Sequence, residues 1–260
     1  MFEFFNPLYS VSGFIVGGLV GFTGVGGGSL MTPILVLIFG IAPTTAVGTD
    51  LLYAAITKSN GTLVHALNGT IDWRVTRRLA AGSIPATLAT LFCLSWFGGD
   101  GHQSNSFISS ALGVALLLTA ASILFRNFLL RYIGRHLEGL SDTATRAITI
   151  LLGAFLGVLV TVSSVGAGAI GMTVLLALYP RMPAVRLVGS DIAHAVPLTL
   201  VAGLGHWLMG GVDWALLGSL LAGSLPGIAL GSHLAARVPD RLLRPALASM
   251  LAFVGVKLSM

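Results

Sequence analysis

Long apolar segments alternate with short polar or glycine-rich breaks along nearly the whole chain. Segments such as 107–125 and 144–162 reach the roughly 20 residues that a helix needs to cross about 30 Å of hydrocarbon. Hydropathy and breaks together predict ten helical segments, at residues 8–24, 28–40, 47–67, 74–97, 106–125, 145–163, 167–180, 187–209, 213–236 and 242–258. The second and seventh are short, so we expect each to form a broken or re-entrant helix with its glycine-rich neighbour. The pattern predicts an all-α polytopic membrane protein of about ten transmembrane or half-membrane helices.

Polar residues of the first half recur in the second half at an almost constant offset. A shift of 140 or 141 positions matches Gly26 with Gly166, Asp50 with Asp191, His65 with His206, Asp72 with Asp213, and Trp73 with Trp214. Five segments per half is an odd number, so we expect the two repeats to lie in opposite orientations across the membrane. The predicted units are an N-terminal repeat at 1–125, a basic cytoplasmic linker at 126–144 and an inverted repeat at 145–260.

Basic residues are confined to alternate connections between the predicted segments. They fill the linker and follow the third, seventh and ninth segments, at Arg74, Arg77, Arg78, Arg181, Arg186, Arg237, Arg241 and Arg244. Such connections face the cytoplasm, which predicts that both termini lie outside it. Lys257, near the chain end, is the exception. Topology therefore accounts for the net charge of +5 without nucleic-acid binding.

Composition narrows the class of protein further. Of 260 residues, 55% are hydrophobic and 9% are charged, which excludes an ordinary soluble domain. The first residues lack the basic region of a cleavable signal peptide, so we expect the first helix to be retained. The single cysteine, Cys93, cannot form an internal disulfide and is interpreted as a packing residue. We find no metal-ligand spacing, P-loop or catalytic motif, and therefore expect no enzyme activity and no cofactor.

Two glycine-rich tracts are the candidate substrate site, because inverted repeats typically form transporters whose broken helices meet near the bilayer midplane. Glycine breaks a helix and lets backbone N–H groups approach an anion at the start of the next one. The candidate substrate-binding residues of the tracts are Gly24, Gly26, Gly27, Gly28, Ser29, Ser163, Ser164, Gly166 and Gly168. Close helix packing is the alternative interpretation. The neighbouring hydroxyl groups and the repetition of the tract favour a site.

Ionisable groups inside apolar segments form the second set of candidates. Asp50 and Asp191 follow Thr49 and Ser190, and a carboxylate at mid-bilayer costs about 2.5–3.5 kcal/mol unless it faces a cavity or a partner. Each aspartate is either a proton carrier or, with the preceding hydroxyl residue, part of a helix N-cap. Lys58, which has no counterpart in the second half, is a candidate anion contact or ion-pair partner.

The histidines are candidates for proton coupling. His65 and His206 either titrate near neutral pH or satisfy the last carbonyl groups of their helices. His194 lies three residues after Asp191 and so shares its helix face, which makes the two a candidate proton relay. Asp72 and Asp213, each followed by tryptophan, are interpreted as interface anchors without chemistry.

Four stretches carry a resemblance to a known family. GVGGGSLMTPIL (24–35), PTTAVGTDLLYAAITKSNGTLVHALNGTIDWR (43–74), LVTVSSVGAGAIG (159–171) and LVGSDIAHAVPLTLVAGLGHWLMGGVDW (187–214) resemble the TauE/SafE family of membrane anion exporters. The resemblance implies export of sulfite or of organosulfonates such as sulfoacetate across the bacterial inner membrane. It also implies functional roles for the glycine tracts and for the polar helix motifs, with Thr49 and Ser190 as candidate substrate-binding residues and Asp50 and Asp191 as candidates for proton coupling. Ala167 and Ala169 replace Gly27 and Ser29, so the halves need not contribute equal ligands.

These observations predict a secondary transporter that exports a small sulfur-containing anion by alternating access, driven by protons or by the membrane potential. The expected partners are that anion, the lipid bilayer and protons; the sequence does not indicate an oligomeric state. The main alternative is a cation or metal-ion transporter that uses the paired Asp and His residues. An intramembrane enzyme and a non-transporting membrane subunit are further alternatives.

Overall fold

The computed structural model describes residues 7–23, 28–97, 101–137, 139–234 and 240–259. The described part is helical and contains no strand. Its helices are α1 (Pro7–Thr23), α2 (Gly28–Leu37), α3 (Pro43–Leu67), α4 (Trp73–Phe97), α5 (Gly101–Leu124), α6 (Arg126–Leu137), α7 (Asp142–Ser163), α8 (Met172–Leu178), α9 (Ala184–Leu208), α10 (Trp214–Leu234) and α11 (Asp240–Ser259), with a π-helical turn (Ala167–Gly171) directly before α8.

Each of the ten predicted segments corresponds to a helix, and α6 is an addition. This 12-residue helix, RNFLLRYIGRHL, occupies most of the predicted basic linker and packs against α8. The sequence did not predict α6 because its basic residues lower its mean hydropathy, although its apolar residues recur at helical spacing. Helix α3 also begins four residues earlier than predicted, because Pro43 fits the first turn of a helix, where no backbone N–H is required.

Five helices of the described part are long and apolar enough to cross a membrane. They comprise Trp73–Trp96, Ser106–Leu124, Asp142–Ser163, Ala184–Leu208 and Trp214–Gly231, and shorter apolar helices lie at Pro7–Leu19, Gly168–Leu178 and Ala248–Leu258. Large apolar side chains remain exposed along these helices, as lipid contact requires; Phe92 is 64% and Trp96 72% exposed. The predicted polytopic membrane fold is confirmed.

Helices of the two halves pack in reciprocal pairs. Helix α1 packs against α10 and α4 against α7, while α3 packs against α9 and α5 against α11. In the sequence repeat, α1 is equivalent to α7 and α4 is equivalent to α10. The contact of α1 with α10 is therefore equivalent to the contact of α7 with α4. A Cβ atom on Gly82 of α4 would overlap the carbonyl oxygen of Ile150, and one on Gly223 of α10 would overlap that of Ser10. Glycine therefore permits the same close approach at both crossings.

Helices α3 and α9 form the antiparallel centre of the molecule. Gly48, near the start of α3, lies against Gly211 beyond the end of α9, and Gly189, near the start of α9, lies against Thr70 beyond the end of α3. All ten residues from 46 to 55 are buried, so this half of α3 is surrounded on every side. Polar residues on this part of α3 therefore face protein and not lipid.

Candidate functional site

The second glycine tract interrupts the helix, as predicted. Helix α7 ends at Ser163, and Ser164 (φ 58°) and Gly166 (φ 107°) both adopt left-handed backbone conformations before the π-helical turn begins. Glycine adopts such a conformation without steric cost, whereas a residue with a side chain does so at a cost of about 1–2 kcal/mol. Ser164 is the one non-glycine residue of the described part with positive φ. Strain of this kind is concentrated at functional sites.

The two serines of this tract have different surroundings. Ser163 Oγ donates to the Leu159 carbonyl oxygen at 2.6 Å and accepts the Val165 N–H at 3.2 Å, so its hydroxyl stabilises the end of α7. Ser164 Oγ is buried and has no hydrogen-bond partner among the described residues. Gly168 lies within the π-helical turn. Unlike Ser163, Ser164 therefore does not use its hydroxyl group to stabilise the end of α7.

The first tract is described only in part. Helix α1 ends at Thr23 and α2 begins at Gly28, so that Gly28 and Ser29 form the first turn of α2. Gly24, Gly26 and Gly27 lie outside the described residues. The predicted role of the first tract stays a prediction.

Asp50 is completely buried in the centre of the molecule. Thr32 Oγ1 of α2 donates to Asp50 Oδ2 at 2.5 Å, and Oδ1 has no partner among the described residues. The Ser164 hydroxyl lies next to this carboxyl group, which connects α3 to the break after α7. Asp50 lies in the second turn of α3 and Ala42 is the N-cap residue, so the N-cap interpretation of Asp50 is wrong.

Asp191 occupies the equivalent place in α9. It is 6% exposed and its Oδ1 atom is buried without a partner among the described residues. A Cβ atom on Gly171 would lie 3.2 Å from this oxygen, which places the carboxyl group against the π-helical turn. Pro183 is the N-cap residue of α9, and it makes no side-chain cap. The N-cap interpretation is therefore wrong for Asp191 as well.

Lys58 is a basic residue on α3, the helix that carries Asp50. It lies two turns after Asp50 on α3, is partly buried, and interacts electrostatically with both Asp50 and Asp191. Neither carboxylate is within ion-pair distance of it among the described residues. Lys58 therefore reduces the negative potential between the halves without neutralising one particular aspartate.

His194 is held by a serine and not by Asp191. Its Nε2 atom is 2.8 Å from Ser83 Oγ of α4, and its Nδ1 atom is buried without a partner among the described residues. The repeat-equivalent residue, Tyr53, has a buried hydroxyl group without a partner and lies near Ser224. Asp191 and His194 therefore form no direct hydrogen bond, and a relay between them stays a prediction.

The remaining predicted residues form hydrogen bonds at helix ends. Thr49 Oγ1 accepts the Asp213 N–H at 3.1 Å, and Ser190 Oγ accepts the Asp72 N–H at 2.8 Å, which is the same bond in each half. Ser190 Oγ also donates to the Arg186 carbonyl oxygen at 2.6 Å. These hydroxyl groups join the two halves.

Both repeat-paired histidines also have structural partners. His206 Nε2 is 2.9 Å from the Thr161 carbonyl oxygen, and His65 Nδ1 is 2.8 Å from Thr70 Oγ1. Within the described residues, no three His, Cys, Asp or Glu side chains are placed to hold a metal ion. The convergence of Asp and His residues that a metal site needs is therefore not found there.

Five residues form what we call the central polar cluster: Asp50, Tyr53, Ser164, Asp191 and His194. Each has a buried polar atom without a hydrogen-bond partner, and among the described residues Thr62 is the one other residue with such an atom. Buried polar atoms in proteins are nearly always hydrogen-bonded, so these atoms, which lie along α3, α9 and the break after α7, are candidates to bind a ligand or water. The sequence did not single out Thr32, Tyr53 or Ser83; equivalence with His194 was the available signal for Tyr53.

Comparison with known proteins agrees with this architecture. The family model for the sulfite exporter TauE/SafE matches residues 9–258. The probable membrane transporter protein YjnA of Bacillus subtilis is 40% identical over 95% of this chain and 96% of its own length. YdhB of the same organism is 31% identical over 80% and 81%, and MJ0441 of Methanocaldococcus jannaschii is 31% identical over 80% and 74%; both are also probable membrane transporter proteins.

No solved structure matches the chain. The family match extends over both glycine tracts and all five residues of the central polar cluster. Helices long enough to cross a membrane, a buried polar centre and membrane-transporter relatives all agree: the chain is a multi-pass membrane transporter that belongs to the TauE/SafE family.

Proposed function

We propose that this transporter exports a small sulfur-containing anion, sulfite or an organosulfonate such as sulfoacetate, by alternating access. The observation that carries the proposal is the break after α7, where the unpartnered Ser164 hydroxyl lies beside Asp50 and the π-helical turn lies against Asp191. The name of the matching family supports an oxoanion of sulfur as the substrate.

The anion would bind between the halves, at the start of the helical segment that runs from Ala167 to Leu178. The first N–H groups of a helix lack acceptors within it and carry a partial positive charge, which attracts an anion. The Ser164 hydroxyl would add a donor and Lys58 would add a full positive charge. The first glycine tract, including Gly28 and Ser29, would supply the matching half of the site. Catalysis has no part in this proposal.

Protons would control anion binding through Asp50 and Asp191. An ionised carboxylate beside the site repels an anion, whereas a protonated carboxyl group does not repel it and can donate a hydrogen bond. Anion and proton binding should therefore strengthen each other by the same factor. Because the inside of a cell is negative, each negative charge expelled gains about 2.3 kcal/mol per 100 mV. This potential would drive export, and protons would set how tightly the anion is bound.

Alternating access would use the antiparallel centre. We propose that residues 1–125 and 145–260 are inverted repeats that rock about α3 and α9, and that 126–144 is a cytoplasmic linker. The reciprocal pairing of α1 with α10 and of α4 with α7 supports this arrangement. The proposed location is the bacterial inner membrane, with both termini outside the cytoplasm.

The test is anion flux in proteoliposomes. Vesicles loaded with sulfite or sulfoacetate are assayed for efflux under an inside-negative potential, under a pH gradient and under neither. We expect protein-dependent efflux that one of the gradients accelerates, and the same efflux from the Asp142→Asn variant, whose altered residue is exposed at the start of α7. An absence of anion flux under every gradient would overturn the proposal.

Cation transport is the second candidate, because Asp50 and Asp191 each have an unpartnered carboxylate oxygen. The same vesicles distinguish it when sodium, potassium or a divalent cation is the loaded species. Flux of a cation that depends on Asp50 and is indifferent to sulfite would favour this candidate. Sulfite flux that is unchanged when the cation is replaced would exclude it.

A further inference from the structure

Four arginines line a cavity where α4 and α7 diverge from their close crossing at Gly82. Arg74, Arg77 and Arg78 come from α4 and Arg146 from α7, and Ala81 and Ile150 form the apolar part of the wall. The cavity has a volume of about 310 Å³, which is enough for a small polar group. This cavity is formed by a different set of residues from the central polar cluster.

Two of the four arginines have hydrogen-bond partners in the protein, and Arg77 Nε donates to the Trp73 carbonyl oxygen at 3.1 Å. Arg78 Nη2 donates to both carboxylate oxygens of Asp142 at 3.0 Å, and Nη1 donates to the Tyr179 hydroxyl at 3.3 Å. Asp72, the other nearby acid, lies 3.8 Å from Arg186. Among the described residues, Arg74, Arg77 and Arg146 form no ion pair. Three positively charged side chains therefore line the cavity without an ion-pair partner among the described residues.

An apolar surface continues from this cavity along the outer side of the same two helices. On α4, Leu88 is 54% and Phe92 64% exposed, while on α7 Leu151 is 67% exposed. Trp73, at the start of α4, is 54% exposed, as expected of a residue at the membrane interface. A group bound by the arginines would thus lie at the edge of a lipid-facing surface.

We propose that this cavity binds the phosphate headgroup of an anionic phospholipid, with the acyl chains along the apolar side chains of α4 and α7. Arg74, Arg77 and Arg146 would contact the phosphate oxygens, since guanidinium groups form paired hydrogen bonds with phosphate. Arg78 would set the shape of the cavity through its bond to Asp142. Basic pockets between membrane helices are suited to such headgroups, and the continuous apolar surface favours lipid over a free anion.

The test is lipid binding by native mass spectrometry of the purified protein. Phosphatidylglycerol, phosphatidylcholine and the water-soluble headgroup glycerophosphoglycerol are compared on the wild type and on the triple variant Arg74→Gln, Arg77→Gln, Arg146→Gln. The control is Arg131→Gln, Arg181→Gln, Lys257→Gln, which removes the same charge from exposed positions outside the cavity. Thermal unfolding confirms that each variant is folded.

We expect the wild type and the control to prefer phosphatidylglycerol over phosphatidylcholine, and the triple variant to bind phosphatidylglycerol at least about tenfold more weakly. Equal binding by the triple variant and the control overturns the proposal. Equal affinity for glycerophosphoglycerol and phosphatidylglycerol also overturns it, because the cavity would then be a free-anion site. Neither result depends on transport, so the proposed function stands or fails separately.

Discussion

The absence of hydrogen-bond partners distinguishes the central aspartates from the acidic residues at helix starts. Asp72 Oδ1 accepts the N–H groups of Arg74 and Val75, and Asp213 Oδ1 accepts that of Leu216, so both acids cap helices. Asp50 and Asp191 each retain a buried oxygen without a partner. At the residue scale, this contrast separates a structural carboxylate from one that is available to a proton or a ligand.

Neutralising the central aspartates should remove the pH dependence of anion binding. Sulfoacetate is a suitable probe, since its charge is constant between about pH 6 and about pH 8. We expect wild-type affinity to fall as pH rises, because binding requires a proton on Asp50 or Asp191. The double variant Asp50→Asn, Asp191→Asn should bind equally at both pH values, as an amide resembles the protonated acid. Calorimetry measures the sulfoacetate affinity of the wild type and of the double variant at each pH, with Asp142→Asn as the control. If the affinity of the double variant depended on pH as that of the wild type does, the two aspartates would not be the groups that couple protons to binding.

Two substitutions at Ser164 distinguish the effect of backbone strain on stability from the effect of the hydroxyl group on ligand binding. Ser164→Gly relieves the left-handed backbone and should raise stability by about 1 kcal/mol, whereas Ser164→Ala keeps the strain. Both remove the hydroxyl, and loss of a hydrogen bond to a charged ligand should weaken sulfoacetate binding about tenfold to a hundredfold. Thermal unfolding and calorimetry give the two quantities. Wild-type affinity in a more stable Ser164→Gly protein would show that this hydroxyl does not contact the anion.

At the scale of elements, hydropathy and breakers predicted the helices, while long-range packing determined the partners of their polar side chains. Apolar length and glycine tracts located ten helices, but α6 was missed because its arginines resembled those of a loop. Thr49 and Ser190 were predicted as substrate-binding residues from the family resemblance. Their hydroxyl groups instead bond to the starts of α10 and α4, more than a hundred residues away in the chain. No local pattern indicates such a contact.

The close crossings of helices should tolerate no added side-chain atom. Gly82→Ala places a Cβ atom against the Ile150 carbonyl oxygen and should destabilise the protein by about 1–3 kcal/mol. Gly218→Ala is the matched control in α10, since a Cβ atom there meets nothing within 4 Å. It should stabilise the helix by up to about 1 kcal/mol. Thermal unfolding in one detergent compares the two variants. Equal melting temperatures would contradict the close packing of α4 against α7 at Gly82.

At the scale of the whole molecule, the account depends on two halves of opposite orientation that meet at α3 and α9. The antiparallel contacts of Gly48 and Gly189 agree with this orientation, as does the convergence of arginines from α4 and α7 on one cavity. Opposite orientation would place equivalent residues such as Asp50 and Asp191 at mirrored depths on either side of the bilayer midplane. Without it, the two glycine tracts could not form one site.

Cysteine labelling at one repeat-equivalent pair of positions tests this claim most directly. Asn68, at the end of α3, and Met209, at the end of α9, are equivalent and both exposed. Each is changed to cysteine in a Cys93→Ser background and treated in intact cells with a membrane-impermeant maleimide. The account predicts that Met209→Cys is labelled in intact cells and that Asn68→Cys is labelled only after the membrane is opened. Labelling of both positions from the same side would contradict it.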